Sequence, residues 1–349
     1  MNIIDETKEY YGKIIKQTSD LKTDACCENV IPPEFIIKYL KNIHEDITNT
    51  YYGCGLNIPD CLEKCNILDL GCGTGRDVYL LSQMVGEEGT VTGIDMTEEQ
   101  IEVAIKYMDY HLQKFNLQKN NVFFYKSYIE NMNELNLKNG SYDIIVSNCV
   151  VNLCQNKEKV FKDAYDLLKE GGEFYFSDVY SSNRISKNLR NDKVLWGECL
   201  SGALYWNDFV NLVKKCGFTD PRLVKYNEIG IKNKEIEKKV GITKFYSATY
   251  RLFKLPDLLD SDCEDYGQAV IYLGTIPNYP DFWELDGHHR MNAGKVFPVC
   301  GNTYNMLYHS RFNKHFTFIG DFDTHYGLFD GCGKSCPFKS NISIQNNCC

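Results

Sequence analysis

The chain has 349 residues, a net charge of −9 at pH 7 and a pI near 5.4. Hydrophobic residues make up 43% and charged residues 24%, which is close to the globular average and excludes a largely disordered chain. The acidic balance argues against a protein that binds duplex DNA or anionic membranes, since both need clustered Lys and Arg. Apolar runs are only strand-sized, and residues 1–5 lack an apolar signal region. We therefore expect a cytoplasmic protein that binds neither nucleic acid nor membrane.

Strand-like and helix-like segments alternate in the middle of the chain. Residues 1–65 have an irregular helical pattern, and the alternation covers residues 66–229. The predicted strands are 66–70, 90–95, 122–125, 142–148 and 172–179. Helices are predicted after Gly75, after a cap at Thr97, and over 158–168 and 206–216. Strands regularly separated by helices indicate a parallel, doubly wound sheet, which is a Rossmann-like α/β domain.

The pattern changes at residue 230, and a smaller α+β domain is predicted from there. Residues 232–239 are read as a charged, solvated face, 245–255 as an aromatic-rich strand, and the rest up to about 329 as short strands with many turns. The last residues carry Cys332, Cys336, Cys348 and Cys349 among small and polar residues and predict a mobile tail. The expected units are therefore 1–65, 66–229, 230–331 and 332–349.

A glycine-rich turn, DLGCGTG at residues 69–75, follows the first predicted strand. Glycines at a strand-to-helix junction let a ligand approach the backbone and direct helix amides at a negative group. A dinucleotide-binding turn would place a third glycine at position 76, where this chain has Arg76. The tighter spacing suits S-adenosylmethionine, with Asp69 as acceptor for its ammonium and Asp95 for its ribose hydroxyls. A purely structural turn would need neither acid, so we predict S-adenosylmethionine as the cofactor.

The predicted cofactor site extends beyond the glycine turn and the two acids. Aromatic residues beside Cys54 are able to cover a nucleotide, and Asn148 lies at the end of the fourth predicted strand. The full predicted set is Tyr52, Asp69, Gly71, Gly73, Gly75, Arg76, Asp95, Met96, Ile129, Glu130 and Asn148.

Sixteen cysteines are the unusual feature of the composition. Cytoplasmic thiols stay reduced, and many free cysteines are simply small buried hydrophobes. The spacing is not that of a zinc site, so we expect no structural metal. Three thiols are nevertheless expected near the cofactor: Cys149 ends the fourth strand, Cys199 follows the fifth, and Cys54 lies between two glycines. Any one of them alone would be read as a buried thiol, whereas three together favour a soft-ligand site.

With its cysteine motifs, the chain closely resembles arsenite S-adenosylmethionine methyltransferases of the eukaryotic and algal type. The matching segments are YYGK, DLKTDACC, YYGCGLNIPD, ILDLGCGTGRD, VTGIDMTEEQIEVA, SNCVVNL, GGEFYFSDVY, KVLWGECLSGALYW and SRFNKHF, and the similarity runs from about residue 10 to 330. The resemblance implies a class I methyltransferase fold and arsenic(III) bound by Cys54, Cys149 and Cys199. It also implies that Cys26, a better match than Cys27, is the redox partner of Cys54, and that Tyr52 lies against the cofactor.

The chemistry of arsenic agrees with such a thiol set. Arsenic(III) is soft and has three valences and a lone pair, so three thiolates match it as carboxylates would not. Each methyl group that arsenic gains removes one valence for sulfur. Two thiolates, Cys149 and Cys199, can still bind the monomethyl form, whereas a dimethyl product keeps at most one and should leave. Methyl transfer raises arsenic to the pentavalent state, and a dithiol such as Cys26 with Cys54 can return two electrons as it forms a disulfide.

The implied partners are arsenite, methylarsenite and a thioredoxin or glutathione system that resets the disulfide, and we expect a monomer. Two alternatives stay open at this stage. One is a methyltransferase for another small molecule, although such an enzyme more often has a His, Asp or Glu base near the fourth strand. The other is a thiol protein that sequesters metals through its tail cysteines. The neighbouring His288 and His289 are read as surface or fold residues rather than a metal site.

Overall fold

The computed structural model describes residues 31–49, 55–190, 192, 195–196, 199–231 and 233–332. The predictions for Cys26, Tyr52, Cys54 and the tail after Cys332 lie outside these residues. The described residues form one large sheet with helices packed against it, followed by a C-terminal region of smaller sheets.

An eight-stranded sheet is the centre of the first domain. Its strands are β1 (Asn66–Leu70), β2 (Thr90–Asp95), β3 (Val122–Lys126), β4 (Tyr142–Asn148), β5 (Leu168–Ser181), β6 (Leu204–Tyr205), β7 (Arg222–Glu228) and β8 (Phe245–Phe253). The strand order is β3-β2-β1-β4-β5-β8-β7, and β6 pairs with the end of β5. Strands β1 to β5 are parallel, whereas β8 runs antiparallel between β5 and β7.

The strand order reverses at β1, which lies between β2 and β4. In sheets of this kind the crevice outside the carboxyl ends of the strands at such a reversal is the usual ligand site. Alternate residues of β1 pack on opposite faces: Ile67 contacts the cluster that contains Val78, and Leu68 the cluster that contains Phe161. Because both faces are covered, the strand is apolar along most of its length. The segments that follow β1, β2 and β4 thus meet at one edge of a rigid core.

Helices cover the sheet and agree with the predicted pattern. They are α1 (Glu34–Leu40), α2 (Glu45–Thr48), α3 (Arg76–Val85), α4 (Glu98–Lys106), α5 (Met108–Lys114), α6 (Lys157–Leu167), α7 (Lys187–Arg190), α8 (Trp206–Lys215) and α9 (Lys234–Val240), with 3-10 segments at Ile129–Leu135 and Val151–Leu153. The helix predicted after Thr97 is divided at Tyr107, and the Thr97 side chain makes no capping hydrogen bond. None of the helices in the described part of the chain combines the length and apolarity needed to cross a bilayer.

The structure corrects three expectations about the region after β5. The sheet is mixed rather than wholly parallel, because β8 enters it antiparallel. The strand predicted at 245–255 therefore belongs to the large sheet and not to the C-terminal domain that was expected from residue 230. The charged segment 232–239 is largely the helix α9, in which Ile236 and Val240 are buried. The segment is amphipathic: its charged residues face solvent and two apolar residues are buried, so it is only partly a solvated face.

Smaller sheets and one helix make up the C-terminal domain. Its elements are β9 (Glu264–Asp265), β10 (Ala269–Tyr272), β11 (Phe282–Glu284), β12 (Arg290–Asn292), β13 (Val296–Pro298), α10 (Gly301–Tyr308), a 3-10 segment (Asn313–His315), β14 (Phe316–Ile319) and β15 (Gly327–Leu328). Strand β10 is central to a three-stranded sheet, while β11 pairs with β12 and β15 with β9. Trp283, Tyr272 and Phe312 are fully buried in its core. His289 bonds to buried Asp286 at 2.7 Å, as expected for a fold residue.

A buried ion network joins this domain to the large sheet. Glu173 of β5 is fully buried and forms ion pairs with Arg251 of β8 (3.0 Å) and with Arg311 of the C-terminal domain. Trp283 also donates a hydrogen bond to Asp60 at 2.9 Å. Arg311 lies in the SRFNKHF segment, and the structure gives this residue a structural role between the domains.

Candidate active site at the carboxyl edge of the sheet

The glycine turn after β1 has the backbone that its sequence predicts. Gly71, Gly73 and Gly75 have φ values of 77°, 55° and 85°, a region that favours glycine. A Cβ atom at Gly71 would lie 2.4 Å from the Cγ2 atom of Val150. Gly75 occupies the N-cap position of α3, so the turn leads directly into the amides of the helix. The turn therefore packs against the residue after Cys149 and presents helix N–H groups at the same edge.

Asp95, at the end of β2, shapes this turn as well as facing it. One oxygen of its carboxylate accepts a hydrogen bond from the backbone N–H of Gly73 (2.9 Å) and the other from Thr97 (2.8 Å). Burial raises the pKa of Asp95, and the hydrogen bonds from Thr97 and Gly73 act in the opposite direction. The side chain of Thr97 and the backbone N–H of Met96 also lower the pKa of this carboxylate.

Asp69 is the buried acid of the site, with only 5% of its surface exposed. Burial raises its pKa well above the usual range, the charges of Asp77 and Asp95 add to this effect, and Arg76 opposes it. A cationic ligand group beside Asp69 would favour the ionised carboxylate. Together, the turn amides, Asp69 and Asp95 fit the carboxylate, ammonium and ribose of S-adenosylmethionine.

The other predicted cofactor residues have protein contacts of their own. Arg76 forms an ion pair with Asp77 at 2.7 Å, and a carboxylate oxygen of Glu130 accepts from the backbone N–H of Asn156 at 2.5 Å. Two further residues follow the ends of strands: Met96, which is half-buried, comes after β2, and Ile129, which is buried, comes after β3. Their contacts with a cofactor remain predictions.

Cys149 and Cys199 lie side by side in the structure. The thiol of Cys199 lies 3.4 Å from the carbonyl oxygen of Cys149, and the two residues are fully or nearly fully buried. Their φ values are 57° and 59°, which is uncommon for residues other than glycine, and such strained backbone is frequent at functional sites. Cys199 is a thiol, whereas Cys149 takes part in a disulfide bond. A thiolate at Cys149 therefore requires reduction of that disulfide.

An apolar cluster surrounds these two cysteines. Its members come from β5, from the segment between β5 and β6, from the residue after β7, and from α9 and β8: Val179, Ile185, Leu195, Leu200, Ala203, Ile229, Ile236, Val240 and Phe245. Because water is excluded there, charges and polarised groups interact more strongly than they would at the surface.

Sequence reasoning missed a cation and an acid next to the thiols. The Nζ atom of Lys157 donates to the carbonyl oxygens of Asn152 (3.0 Å) and Cys154 (2.7 Å), and its charge interacts with Cys199. Burial lowers the pKa of Lys157. Nothing in the sequence around Lys157, a lysine at a helix start, distinguishes it from a surface residue.

The acid is Asp178, which lies near the end of β5. Its carboxylate accepts from the backbone N–H groups of Asn152 (3.0 Å) and Val179 (2.8 Å). Burial raises the pKa of Asp178 to about 7, although these hydrogen bonds and Lys157 oppose the shift. An acid within a strand that is buried along most of its length was a sequence signal that could have marked it.

Two asparagines fasten the segment before β1 to the ends of the strands. The Nδ2 atom of buried Asn57 donates to the carbonyl oxygen of Ser147 at 2.8 Å, and its Oδ1 atom accepts from Ser177 at 3.0 Å. The Nδ2 atom of Asn148 donates to the carbonyl oxygen of Gly55 at 2.9 Å. The described segment that starts at Gly55 is thus fixed beside the carboxyl end of β4.

Two family models match the chain: a methyltransferase domain over residues 62–217 and an arsenite methyltransferase C-terminal domain over 266–341. The chain is 51% identical over 347 residues to the arsenite methyltransferase of Aquipseudomonas alcaligenes, which covers 99% of both chains. It belongs to the arsenite methyltransferase family. The identity to the arsenite methyltransferase of Homo sapiens is 48% over 313 residues, covering 89% of this chain and 82% of the human one.

A solved relative supports the same assignment at the level of the fold. The crystal structure of an arsenic(III) S-adenosylmethionine methyltransferase from Chlamydomonas reinhardtii superposes with a TM-score of 0.83 at 44% identity. It covers 86% of this chain and all of that chain. The resemblance inferred from the motifs is therefore confirmed, and so is the class I methyltransferase fold with a smaller C-terminal domain.

Proposed function

We propose that this member of the arsenite methyltransferase family transfers methyl groups from S-adenosylmethionine to arsenic(III) bound by Cys149, Cys199 and Cys54. The observation that carries the proposal is the contact between Cys199 and Cys149 at the edge where the glycine turn lies. Arsenite and methylarsenite are its substrates, and mono- and dimethylated arsenicals are its products. The activity serves arsenic detoxification.

Soft thiolates in an apolar enclosure suit trivalent arsenic. Arsenic(III) prefers sulfur to oxygen ligands, and two thiolates from separate loops can enclose it while its lone pair stays available. The apolar cluster around Cys199 excludes water, which would compete as a ligand. No general base is needed, because the nucleophilic arsenic carries no proton.

The cofactor and the arsenic would be held on adjacent loops. The amides of the glycine turn, Asp69 and Asp95 would bind S-adenosylmethionine, which supplies an electrophilic methyl group when bound. Val150 packs on Gly71, so the residue next to Cys149 touches the turn that would hold the methyl donor. Such positioning of two reactants accounts for much of the rate that an enzyme contributes to a displacement reaction.

Cys54 is proposed as the third thiolate and Cys26 as its redox partner. Cys54 is bonded covalently to Gly55, whose carbonyl oxygen accepts from Asn148 at 2.9 Å, and this connection supports an approach of Cys54 to Cys149. Two thiols that form a disulfide release two electrons and two protons. Those electrons return a pentavalent arsenical to arsenic(III).

An external thiol reductant would complete the cycle. A protein disulfide and two molecules of glutathione give two protein thiols and one molecule of oxidised glutathione, and thioredoxin can supply both thiols itself. The disulfide at Cys149 supports such a requirement, because an oxidised Cys149 cannot bind arsenic as a thiolate. We further propose that the enzyme works as a monomer in the cytoplasm, where these reductants keep the other cysteines as thiols.

Arsenic speciation tests the proposal directly. Purified protein is incubated with arsenite, glutathione and S-adenosylmethionine, and the arsenicals are separated by chromatography with mass detection. We expect mono- and dimethylated products from wild type and from Cys216→Ser, a control variant whose thiol lies 3.6 Å from the carbonyl oxygen of Glu158 in α6. The Cys199→Ser variant should form neither. Unmethylated arsenite with wild type, or normal turnover by Cys199→Ser, would refute the proposal.

A further inference from the structure

Three cysteines of the C-terminal region lie together outside the candidate active site. Cys263 precedes β9, Cys300 precedes α10, and Cys332 follows β15. A backbone hydrogen bond of 2.8 Å from Phe329 to the carbonyl oxygen of Cys263 extends the pairing of β15 with β9. Cys263 shifts the pKa of Cys300 and that of Cys332, and each of these two thiols shifts the pKa of Cys263, so Cys263 lies near both. The cluster thus joins three segments that are distant in sequence.

Backbone and side-chain bonds fix the central pair of this cluster. The Nδ2 atom of Asn302, in the first turn of α10, donates to the carbonyl oxygen of Asp260 at 2.9 Å. Its Oδ1 atom accepts from the backbone N–H of the same residue at 2.8 Å. The segment that leads to Cys263 is therefore held against the helix that begins after Cys300.

Cys300 is in an environment that stabilises a thiolate. Its sulfur accepts from the backbone N–H of Thr303 at 3.5 Å, and the Nη2 atom of Arg222 lies 3.8 Å from it. The neighbouring Cys263 thiol lowers the pKa of Cys300, and the charge of Arg222 lowers it further, although burial opposes both. Only 7% of the surface of Arg222 is exposed, and an ion pair with Asp286 at 3.2 Å fixes its position. A thiolate at Cys300 and a thiol at Cys263 form a reactive dithiol.

We propose that Cys263 and Cys300 form a second arsenical site, which binds trivalent arsenic that carries one organic group. The choice of arsenic rests on the proposed function; the dithiol itself does not. No group of three or more metal-ligating side chains in the described residues is arranged to hold a metal ion. The proposal therefore concerns two thiols, the number that a monoorganic arsenic(III) centre can take.

The binding reaction needs no oxidant. Phenylarsine oxide and two thiols give a phenylarsenic dithiolate and one water molecule: two arsenic–sulfur bonds form, the arsenic–oxygen bonds break, and arsenic stays trivalent. After the first bond forms, the second is intramolecular, so a dithiol binds far more tightly than an isolated cysteine. Cys263 is partly exposed, which gives the ligand access to the buried Cys300.

Phenylarsine oxide is the probe for the test, with the full chain reduced beforehand. Native mass spectrometry counts the bound phenylarsenic groups in wild type and in the variants Cys263→Ser, Cys300→Ser and Cys216→Ser. We expect the first two variants to bind one group fewer than wild type and the third to bind the same number. Serine is a favoured N-cap residue, so Cys300→Ser keeps a capping oxygen for α10. The bound wild type should also yield a digest in which phenylarsenic bridges the peptides of Cys263 and Cys300.

An unchanged stoichiometry in Cys300→Ser, or bridges only between other cysteines, would overturn the proposal. Arsenite methylation is measured on the same preparations. The two proposals can fail separately. If Cys263→Ser and Cys300→Ser each bind one phenylarsenic group fewer, but the wild-type protein methylates no arsenite, the proposed function is refuted and the second site is supported.

Discussion

The thiol of Cys199 donates to the carbonyl oxygen of Cys149 at 3.4 Å, although 50 residues separate the two cysteines. Both residues have positive φ values. Cys149 directly follows β4, and Cys199 lies in the segment after β5, so both come after strands that end at the cofactor edge. A left-handed backbone costs a non-glycine residue roughly 1–2 kcal/mol. Two such costs at neighbouring cysteines are understandable if the turns direct both sulfur atoms into one site.

The first prediction concerns the contact between the glycine turn and the thiol loop. Gly71→Ala would place a methyl group 2.4 Å from the Cγ2 atom of Val150 at a φ of +77°. We expect a loss of affinity for S-adenosylmethionine of at least about tenfold, or about 1.4 kcal/mol, measured by titration calorimetry. Gly140→Ala is the matched control, because Gly140 has a φ of +64° but no atom within 4 Å of a Cβ position. If Gly140→Ala weakens binding equally, backbone strain rather than this contact is the cause.

The second prediction separates the two roles of Asp95. Asp95→Ala removes the hydrogen bonds to Gly73 of the turn and to Thr97, together with any bonds to the ribose, and should weaken S-adenosylmethionine binding by ~1–3 kcal/mol. Asp95→Asn keeps one acceptor oxygen and should have an intermediate affinity. Calorimetry measures both, with thermal unfolding as the control for folding. Unchanged affinity in Asp95→Ala would remove this residue from the cofactor site.

Local patterns predicted most of the first domain and the position of its site. The strand ending before Gly71, the acid at Asp95 and the thiol at Cys149 all depend on residues close in sequence, so their register could be inferred. The antiparallel β8 could not, because pairing between Phe245–Phe253 and β5 depends on contacts between distant segments. Lys157 was missed for the same reason: its place beside Cys199 results from folding and not from its neighbours.

The third prediction concerns the ion network between the domains. Glu173→Gln keeps the shape of the side chain but removes the carboxylate that pairs with the buried Arg311 and Arg251, although Arg251 still has Asp60 at 4.0 Å. Breaking one partner of a buried pair costs about 3–5 kcal/mol, so we expect a loss of that size in the free energy of unfolding in urea. Glu88→Gln is the control, since Glu88 and Lys64 form an exposed pair at 2.8 Å. Its effect should stay below about 1 kcal/mol. Similar losses in both variants would contradict a special role of the network.

The fourth prediction tests whether Asn57 positions the segment that follows Cys54. Asn57→Ala removes the hydrogen bonds to Ser147 and Ser177 and should release this segment from the strand ends. We expect arsenite methylation to fall at least about tenfold while methylation of added monomethylarsenite falls less, because only arsenite needs a third thiolate. Asn42→Ala is the control, as it removes an amide bond to Gln83 at 2.8 Å away from the site. An equal loss with both arsenicals would indicate general damage to the fold instead of misplacement of Cys54.

The last prediction divides the methylation reaction among four thiols. Arsenite offers three valences to sulfur and monomethylarsenite only two. Cys149→Ser and Cys199→Ser should therefore abolish methylation of both substrates, since a hydroxyl is a harder donor and either change leaves one pocket thiolate for the monomethyl form. Cys54→Ser and Cys26→Ser should block methylation of arsenite, by lost ligation or failed reduction, and still allow methylation of added monomethylarsenite.

The structure makes serine a suitable replacement in this experiment on the four thiols. A hydroxyl at position 199 can still donate to the carbonyl oxygen of Cys149, so Cys199→Ser should keep the packing of the loop and change only the donor offered to arsenic. All four variants are assayed on both arsenicals with S-adenosylmethionine and glutathione, after calorimetry shows that each binds the cofactor. Wild-type rates for Cys149→Ser on monomethylarsenite, or for Cys54→Ser on arsenite, would show that the thiolate assignment is wrong. Cys54 and Cys26 are each tested against a substrate that needs them and one that does not, so loss of folding cannot produce their expected pattern. For Cys149→Ser and Cys199→Ser, which should lose both activities, cofactor binding in the calorimeter is the control for folding.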